Sequence, residues 1–185
     1  MKLIIKNARL SFADLFTAVE KFGGDPKFGA SFLIDPKSDD GKANIAAFKE
    51  ICHKLEKESF GGNPLPTDKY PIKDGNDKDY DGWKDMMVIS SSNKKRPKIV
   101  GRKRQTVAEG DIDAPYSGCI VNAVVDVWPM DNQYGKRICC SLEAVQFAAD
   151  GDPFSAGGAN IESDFDDIDL SDRDITEVSA ESLGI

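Results

Sequence analysis

The chain has 185 residues and a formal net charge of −8, enough length for one core of ordinary size plus a tail. Residues 1–149 hold 23 basic and 21 acidic side chains, whereas residues 150–185 hold 1 and 11, so the acidity belongs to the tail. The apolar run nearest the start, Leu3–Ile5, is far too short for a signal-peptide core, and no window is long enough to cross a bilayer; a cytoplasmic protein with no membrane association is expected.

Residues 2–6 (KLIIK) predict a first strand, and 28–34 (FGASFLI) a second, with Phe28, Ala30, Phe32 and Ile34 on one face. A Gly-rich turn, 22–27, lies between them, and SFADLF at 11–16 is where a further strand would fall. Asp39 or Asp40 can cap a helix running to about Ser59, because Ile45, Phe48, Ile51, Cys52 and Leu55 recur at helical spacing, and Gly61-Gly62 ends it. His53, the only histidine, has no partner histidine and is expected at the surface.

From Asn63 to Trp83 the chain is polar and rich in Pro, Gly and Asp, which marks a long excursion. Asp77, Asp79, Asp81 and Gly82 follow the opening of a calcium loop, but its twelfth position is Val88, where a bidentate carboxylate is needed, so a solvated turn is expected. Strands are predicted at 86–91 and 97–101, either one bent strand or two joined at Asn93. The segment 117–128 gives the strongest strand signal, with Cys119, Val121, Ala123, Val125 and Val127 facing the core and Ile120, Asn122, Val124, Asp126 and Trp128 on the other face, whose polar groups and indole suit a ligand or partial contact with water. Pro129 is expected to end it, and 136–147 to return as its hairpin partner. Five to six strands with one helix fit a small, mainly β barrel of the OB type better than a sandwich.

Between the strands at 86–91 and 117–128, Lys94, Lys95, Arg96, Lys98, Arg102, Lys103 and Arg104 crowd into eleven residues with no acid among them. Cations this dense repel one another unless salt screens them or a polyanion meets them, and nucleic acid is the commonest polyanion. Catalytic chemistry has no comparable signal: there is no phosphate-binding Gly-Lys-Ser/Thr, no nucleophile elbow, and the inward carboxylate candidates Asp126 and Glu143 are isolated. Cys52, Cys119, Cys139 and Cys140 lack metal-ligand spacing and read as reduced thiols, so neither metal nor cofactor is expected.

NKKRP at Asn93–Pro97, YSGCIVNA at Tyr116–Ala123, LEAVQF at Leu142–Phe147 with the following DGDPF, and YDGW at Tyr80–Trp83 together resemble the small bacteriophage single-stranded DNA-binding proteins. The resemblance implies an OB fold with an acidic C-terminal tail; composition sets the domain at 1–149 and the acidic tail, too polar to fold alone and expected to be disordered, at 150–185. It also implies a non-enzymatic protein that coats single strands during phage replication and recombination in the bacterial cell. By position it assigns phosphate contact to Lys94, Lys95 and Arg96. Charge alone adds Lys98, Arg102, Lys103, Arg104, Lys136 and Arg137, and the stacking candidates are Trp128, Trp83, Tyr80, Tyr116 and Tyr134. Ile120 stands where the family often has an aromatic, and the tail finishes in Ser182-Leu183-Gly184-Ile185 rather than in acids around an aromatic.

Within the tail, Asp164, Phe165, Asp166, Asp167, Ile168, Asp169 and Leu170 form an acidic-apolar motif suited to docking on a phage or host replication or recombination protein. The tail is also a polyanion able to compete with DNA. Oligomeric state stays open, a dimer included. The alternative reading is an interaction scaffold in which the basic segment only solubilises a strand edge.

Overall fold

In the computed structural model, which describes residues 1–21 and 23–154, the elements run β1 (Lys2–Val19), β2 (Lys27–Ile34), α1 (Asp39–Ser59), β3 (Ile72–Asp74), β4 (Met87–Asn93), β5 (Lys98–Val100), β6 (Ile120–Asn132) and β7 (Gly135–Ala149). One sheet holds all seven strands in the order β3-β4-β2-β1-β6-β7-β5. Every pair is antiparallel except β5 with β7. β4 and β5 stand near opposite ends of that order, yet only residues 94–97 join them. Four residues reach about 18 Å at full extension, so the sheet has to curl until its ends meet. Asn93 Nδ2 spans the seam, donating to Leu142 O at 3.0 Å. The result is the OB-like barrel with one inserted helix that the sequence predicts, and of the two alternatives at 86–101 the chain takes the second, two strands joined by a turn at Asn93.

β1 is far longer than the predicted 2–6, and it absorbs the 11–16 segment instead of leaving a separate strand there. Its pairing against β2 shifts between Asp14 and Val19, and sharper breaks lie between Ile5 and Ala8 against β6 and between Ser11 and Asp14 against β2. Asn7 (φ 51°) and Phe12 (φ 51°) take the left-handed conformation at those breaks. Each bulge inserts a residue and shifts the inward phase, so the buried side chains run Leu3, Ile5, then Ala8, Leu10, then Leu15. No fixed alternation survives over the whole strand, which is why pattern reading finds only its first piece.

The first bulge is also where α1 docks. It strands the N–H and C=O of Lys6, and the Asn44 carboxamide takes both, accepting from Lys6 N at 3.0 Å and donating to Lys6 O at 2.8 Å. Asn44 is 5% exposed, in the buried stripe with Phe48, Cys52 and Leu55. Ile45 and Ile51, predicted for the core face, lie at its margin. The N-cap is Ser38 rather than Asp39 or Asp40, because its Oγ is placed to accept from Gly41 N at 3.0 Å, and the two aspartates occupy the first turn, where they favour the helix dipole.

Beyond α1 the long excursion is ordered by two clips. Tyr70 OH donates to the buried carboxylate of Glu56, and burial with that bond pushes the Tyr70 phenol up to about 12. Trp83, 7% exposed, donates from Nε1 to Ser11 Oγ at 3.1 Å and closes a small cluster with Leu33 and Val88. Among the described residues no three His, Cys, Asp or Glu side chains converge as a metal would require, Asp77, Asp79 and Asp81 included.

The five inward residues predicted for 119–127 are all buried. β6 does not stop at Pro129 but continues to Asn132. β1 pairs with β6 only as far as Asp126, so Pro129 sits where one edge has no neighbour and its missing N–H breaks no ladder. At the other end of the hairpin the compact unit runs to Phe154, beyond the 149 boundary drawn from composition. Residues 150–154 lie as a strap over Gly118, whose φ is +110° and where a Cβ would fall 2.2 Å from Asp152 O. The remaining tail, with the Asp164–Leu170 motif, lies outside the described residues. No helix among the described residues is long and apolar enough to cross a membrane.

Replacing Asn44 by Ala should lower unfolding free energy by about 1–3 kcal/mol, because two backbone groups lose their partner. Urea unfolding checks this, and a change below about 0.5 kcal/mol would mean that water replaces the carboxamide at no cost.

Candidate nucleic-acid interface

The β4–β5 corner is built by one side chain. Asn93 Oδ1 accepts Lys95 N at 3.0 Å, turning the chain, while its amide holds β7 across the seam. Pro97 is buried beneath the corner, and Lys94, Lys95 and Arg96 are left exposed on its outside. Lys94 pairs with Asp25 in the β1–β2 turn, and the Arg96 guanidinium lies 5.7 Å from the Phe16 ring centroid. Lys95 has no acidic partner among the described residues.

Register brings a further cation to this corner. Phe28 is opposite Asn93, so Lys27 at the start of β2 faces the beginning of the basic run. Burial raises the Cys139 thiol, and Lys27 and Arg137 counter it. The corner and β2 thus contribute Lys94, Lys95, Arg96 and Lys27 to one end of the barrel, while Arg137 stands half-buried on β7 near the β6–β7 turn, opposite Met130. Lys98 is exposed along β5, and a groove of about 660 Å³ runs beside it between Arg96 and Asp111.

Other predicted cations are placed differently. Arg102 is committed to Asp113, with Nη2 at 2.7 Å and Nε at 3.1 Å from Oδ1, and it stands 5.3 Å from the Phe147 ring centroid. The Arg102 guanidinium, with help from Gln105 Nε2, holds the Asp113 carboxyl below the usual carboxylate range. Lys103 and Arg104 are exposed in the same turn. Lys136 faces the Phe60 ring at the C-terminal end of α1, 5.5 Å from its centroid.

The aromatic candidates divide by exposure. Tyr134 at the β6–β7 turn is 72% exposed and Tyr80 is 46% exposed. Trp128 is half-buried, its Nε1 donating to Ser141 Oγ at 2.9 Å. Trp83 is a packing residue with no free face. Tyr116 holds the strap, its OH accepting from Gly151 N at 3.1 Å, and its ring tilts against Phe147. Sequence reading passed over Lys27, Phe12 and Arg9. Lys27 stood alone outside the basic run, Phe12 was hidden by its bulge, and Arg9 reaches the strap from afar, with Nη2 2.7 Å from Asp152 O and its guanidinium 4.2 Å from the Phe154 ring.

No group at this end is an evident nucleophile. Burial pushes the thiols of Cys52 and Cys140 up to about 12 and that of Cys119 up to about 11, so they are protonated at neutral pH. Asp126 and Glu143 gather no third ligand.

Against known proteins, the family model described as the single-stranded DNA-binding protein of Enterobacter phage Enc34 matches residues 1–176. Protein p50 of Acyrthosiphon pisum secondary endosymbiont phage 1 is 35% identical over 184 residues, covering 94% of this chain and 97% of that protein. The solved structure of the bacteriophage Enc34 single-stranded DNA-binding protein in complex with single-stranded DNA superimposes with a TM-score of 0.71 at 27% identity, over 83% of this chain and 89% of that one. The bacteriophage T7 single-stranded DNA-binding protein gp2.5, at 12% identity and a TM-score of 0.54 over 88% and 91% of the two chains, shares the fold.

The Arg102–Asp113 pair makes stability depend on pH in one direction. Asp113 has a folded pKa below its ordinary 3.8, so its contribution is complete above about pH 5 and is lost as pH falls through the depressed value. Asp113→Asn should therefore lower the urea midpoint at pH 7 and leave it nearly unchanged at the acid end of the series. An equal deficit at every pH would show that shape rather than charge holds the loop.

Proposed function

This chain belongs to the family of the single-stranded DNA-binding protein of Enterobacter phage Enc34, and from that premise we propose that it binds single-stranded DNA without sequence preference. In this reading it coats the strands exposed during phage DNA replication and recombination in the cytoplasm of the infected bacterium, and it catalyses no reaction.

One observation carries the reading: the cations of the corner where β4 turns into β5 are joined by Lys27 from β2. Lys95 and Arg96 on the corner and Lys27 on β2 present positive charge at one end of the barrel, and Arg137 on β7 is assigned to the same path by its charge. A flexible phosphate backbone laid across them releases condensed counterions, which favours binding whatever the bases are. Lys94 joins them by exchanging Asp25 for a phosphate, and Lys98, Lys103 and Arg104 extend the path. Arg102 contributes by holding the turn rather than by contact, and Lys136 by steadying the hairpin on α1. Tyr134 and Trp128 on the hairpin offer faces to bases. The domain proposed for this work runs to Phe154, and the acidic residues beyond it are assigned to docking on replication or recombination proteins, or to competition with DNA.

Fluorescence anisotropy with a labelled mixed-sequence strand and its duplex, over a salt series, tests this. With about five phosphate contacts, log affinity should fall against log salt with a slope of about −3 to −4, and the single strand should be preferred. Lys95→Ala with Arg96→Ala should flatten that slope by about 1 to 1.5 on every sequence. Residues 1–154 should bind more tightly than 1–185 at low salt if the tail competes, and equally if it only docks partners. Absence of single-strand binding at low salt by either form would leave the scaffold reading in its place.

A further inference from the structure

Phe12 and Tyr80 form an exposed aromatic pair that neither folding nor the cationic corner uses. Phe12 is 45% exposed and Tyr80 46%, with ring centroids 5.1 Å apart and planes at 79°. Both rest edge-on against Trp83, at 5.9 and 5.0 Å, and Trp83 is itself fixed by its bond to Ser11. Phe12 keeps a φ of 51°, a conformation that disfavours any residue with a Cβ, yet its ring is not buried in return. An aromatic held in a strained backbone, supported from below and left open above, is placed for something that arrives from solvent.

Register shows what lies beside it. Ser11 is opposite Ser31, and Ser31 is opposite Ser90, so a row of small side chains crosses β1, β2 and β4 from the aromatic pair. Along β4, Ser90 stands four residues from Lys94, about 13 Å at the rise of a strand, and two strand spacings, about 10 Å, from Ser11, so about 16 Å separates the pair's end of the row from the corner. A polymer carrying both negative charge and flat apolar groups at short intervals matches a cationic corner and an aromatic pair at that separation. Resting on the single-strand reading above, we infer that Phe12 and Tyr80 form a base-stacking clamp, which takes an unpaired nucleobase of the strand whose phosphates lie on the β4–β5 corner.

The test uses the full chain with a thymidine oligonucleotide and an abasic oligonucleotide of the same length. Phe12→Leu and Tyr80→Ala should each weaken thymidine-strand binding about 5- to 100-fold. They should leave the salt slope and the abasic affinity unchanged. Phe12→Gly, which relieves the left-handed strain, should melt no lower than the unaltered chain and lose the same affinity. Unchanged thymidine binding by these variants overturns the clamp while the single-strand reading stands, and so does an equal loss on the abasic strand. Failure of the unaltered chain to bind either oligonucleotide overturns both.

Discussion

The paired hydrogen bonds between Asn44 and the backbone of Lys6 sit at the point on which the barrel turns. β1 has to serve β6 along its first half and β2 along its second, on a sheet curled tightly enough for β4 and β5 to meet. A regular strand cannot bend that far, and a bulge that bends it abandons one donor and one acceptor. Supplying both partners from a single helical side chain joins three requirements: the bend, the satisfaction of its backbone, and the docking of α1 over the barrel. Asn7 binds the same bulge outward, donating its N–H to Asn122 Oδ1 at 3.0 Å and its side-chain amide to Asp40 at 2.7 Å.

What could be read beforehand follows from how much each residue's position depends on its neighbours in sequence. β6 was legible because it alternates without interruption over the core, and α1 because its apolar spacing is unbroken. β1 was not, since its inward phase changes at Asn7 and at Phe12. β4 and β5 could not be separated or joined from sequence, because their relation is set by β7 across the seam. The same division runs through the interface. The basic run announced itself by density, but that Arg102 is spent on Asp113 while Lys27 is brought in from β2 is a matter of register and tertiary pairing. Trp83 looked like a binding aromatic by composition and is a core residue because Ser11 lies beneath its indole nitrogen; Phe12, which nothing in the sequence singled out, is on the surface.

The likeness to gp2.5 bears on the fold alone. At 12% identity the barrel persists, as expected if curling depends on inward apolar volume and on satisfied bulges rather than on particular side chains. The proposed interface asks for something different, since a phosphate has to be met by a cation at a fixed place. Lys94, Lys95, Arg96 and Lys27 lie on the short connection between β4 and β5 and on the first residue of β2, where the backbone is held by the barrel and the side chains are exposed.

Pro129 bears on how copies of the chain can stand beside one another. From Trp128 outward the hairpin has a strand edge with no neighbour, the kind of edge along which sheets of two molecules fuse. Proline at that position withholds a donor and presents a ring to any approaching strand, so continuous sheet growth between copies is interrupted there. A protein concentrated along a polymer is pressed against its own kind at high local density. At that edge, copies brought side by side would meet through side chains rather than through a shared sheet.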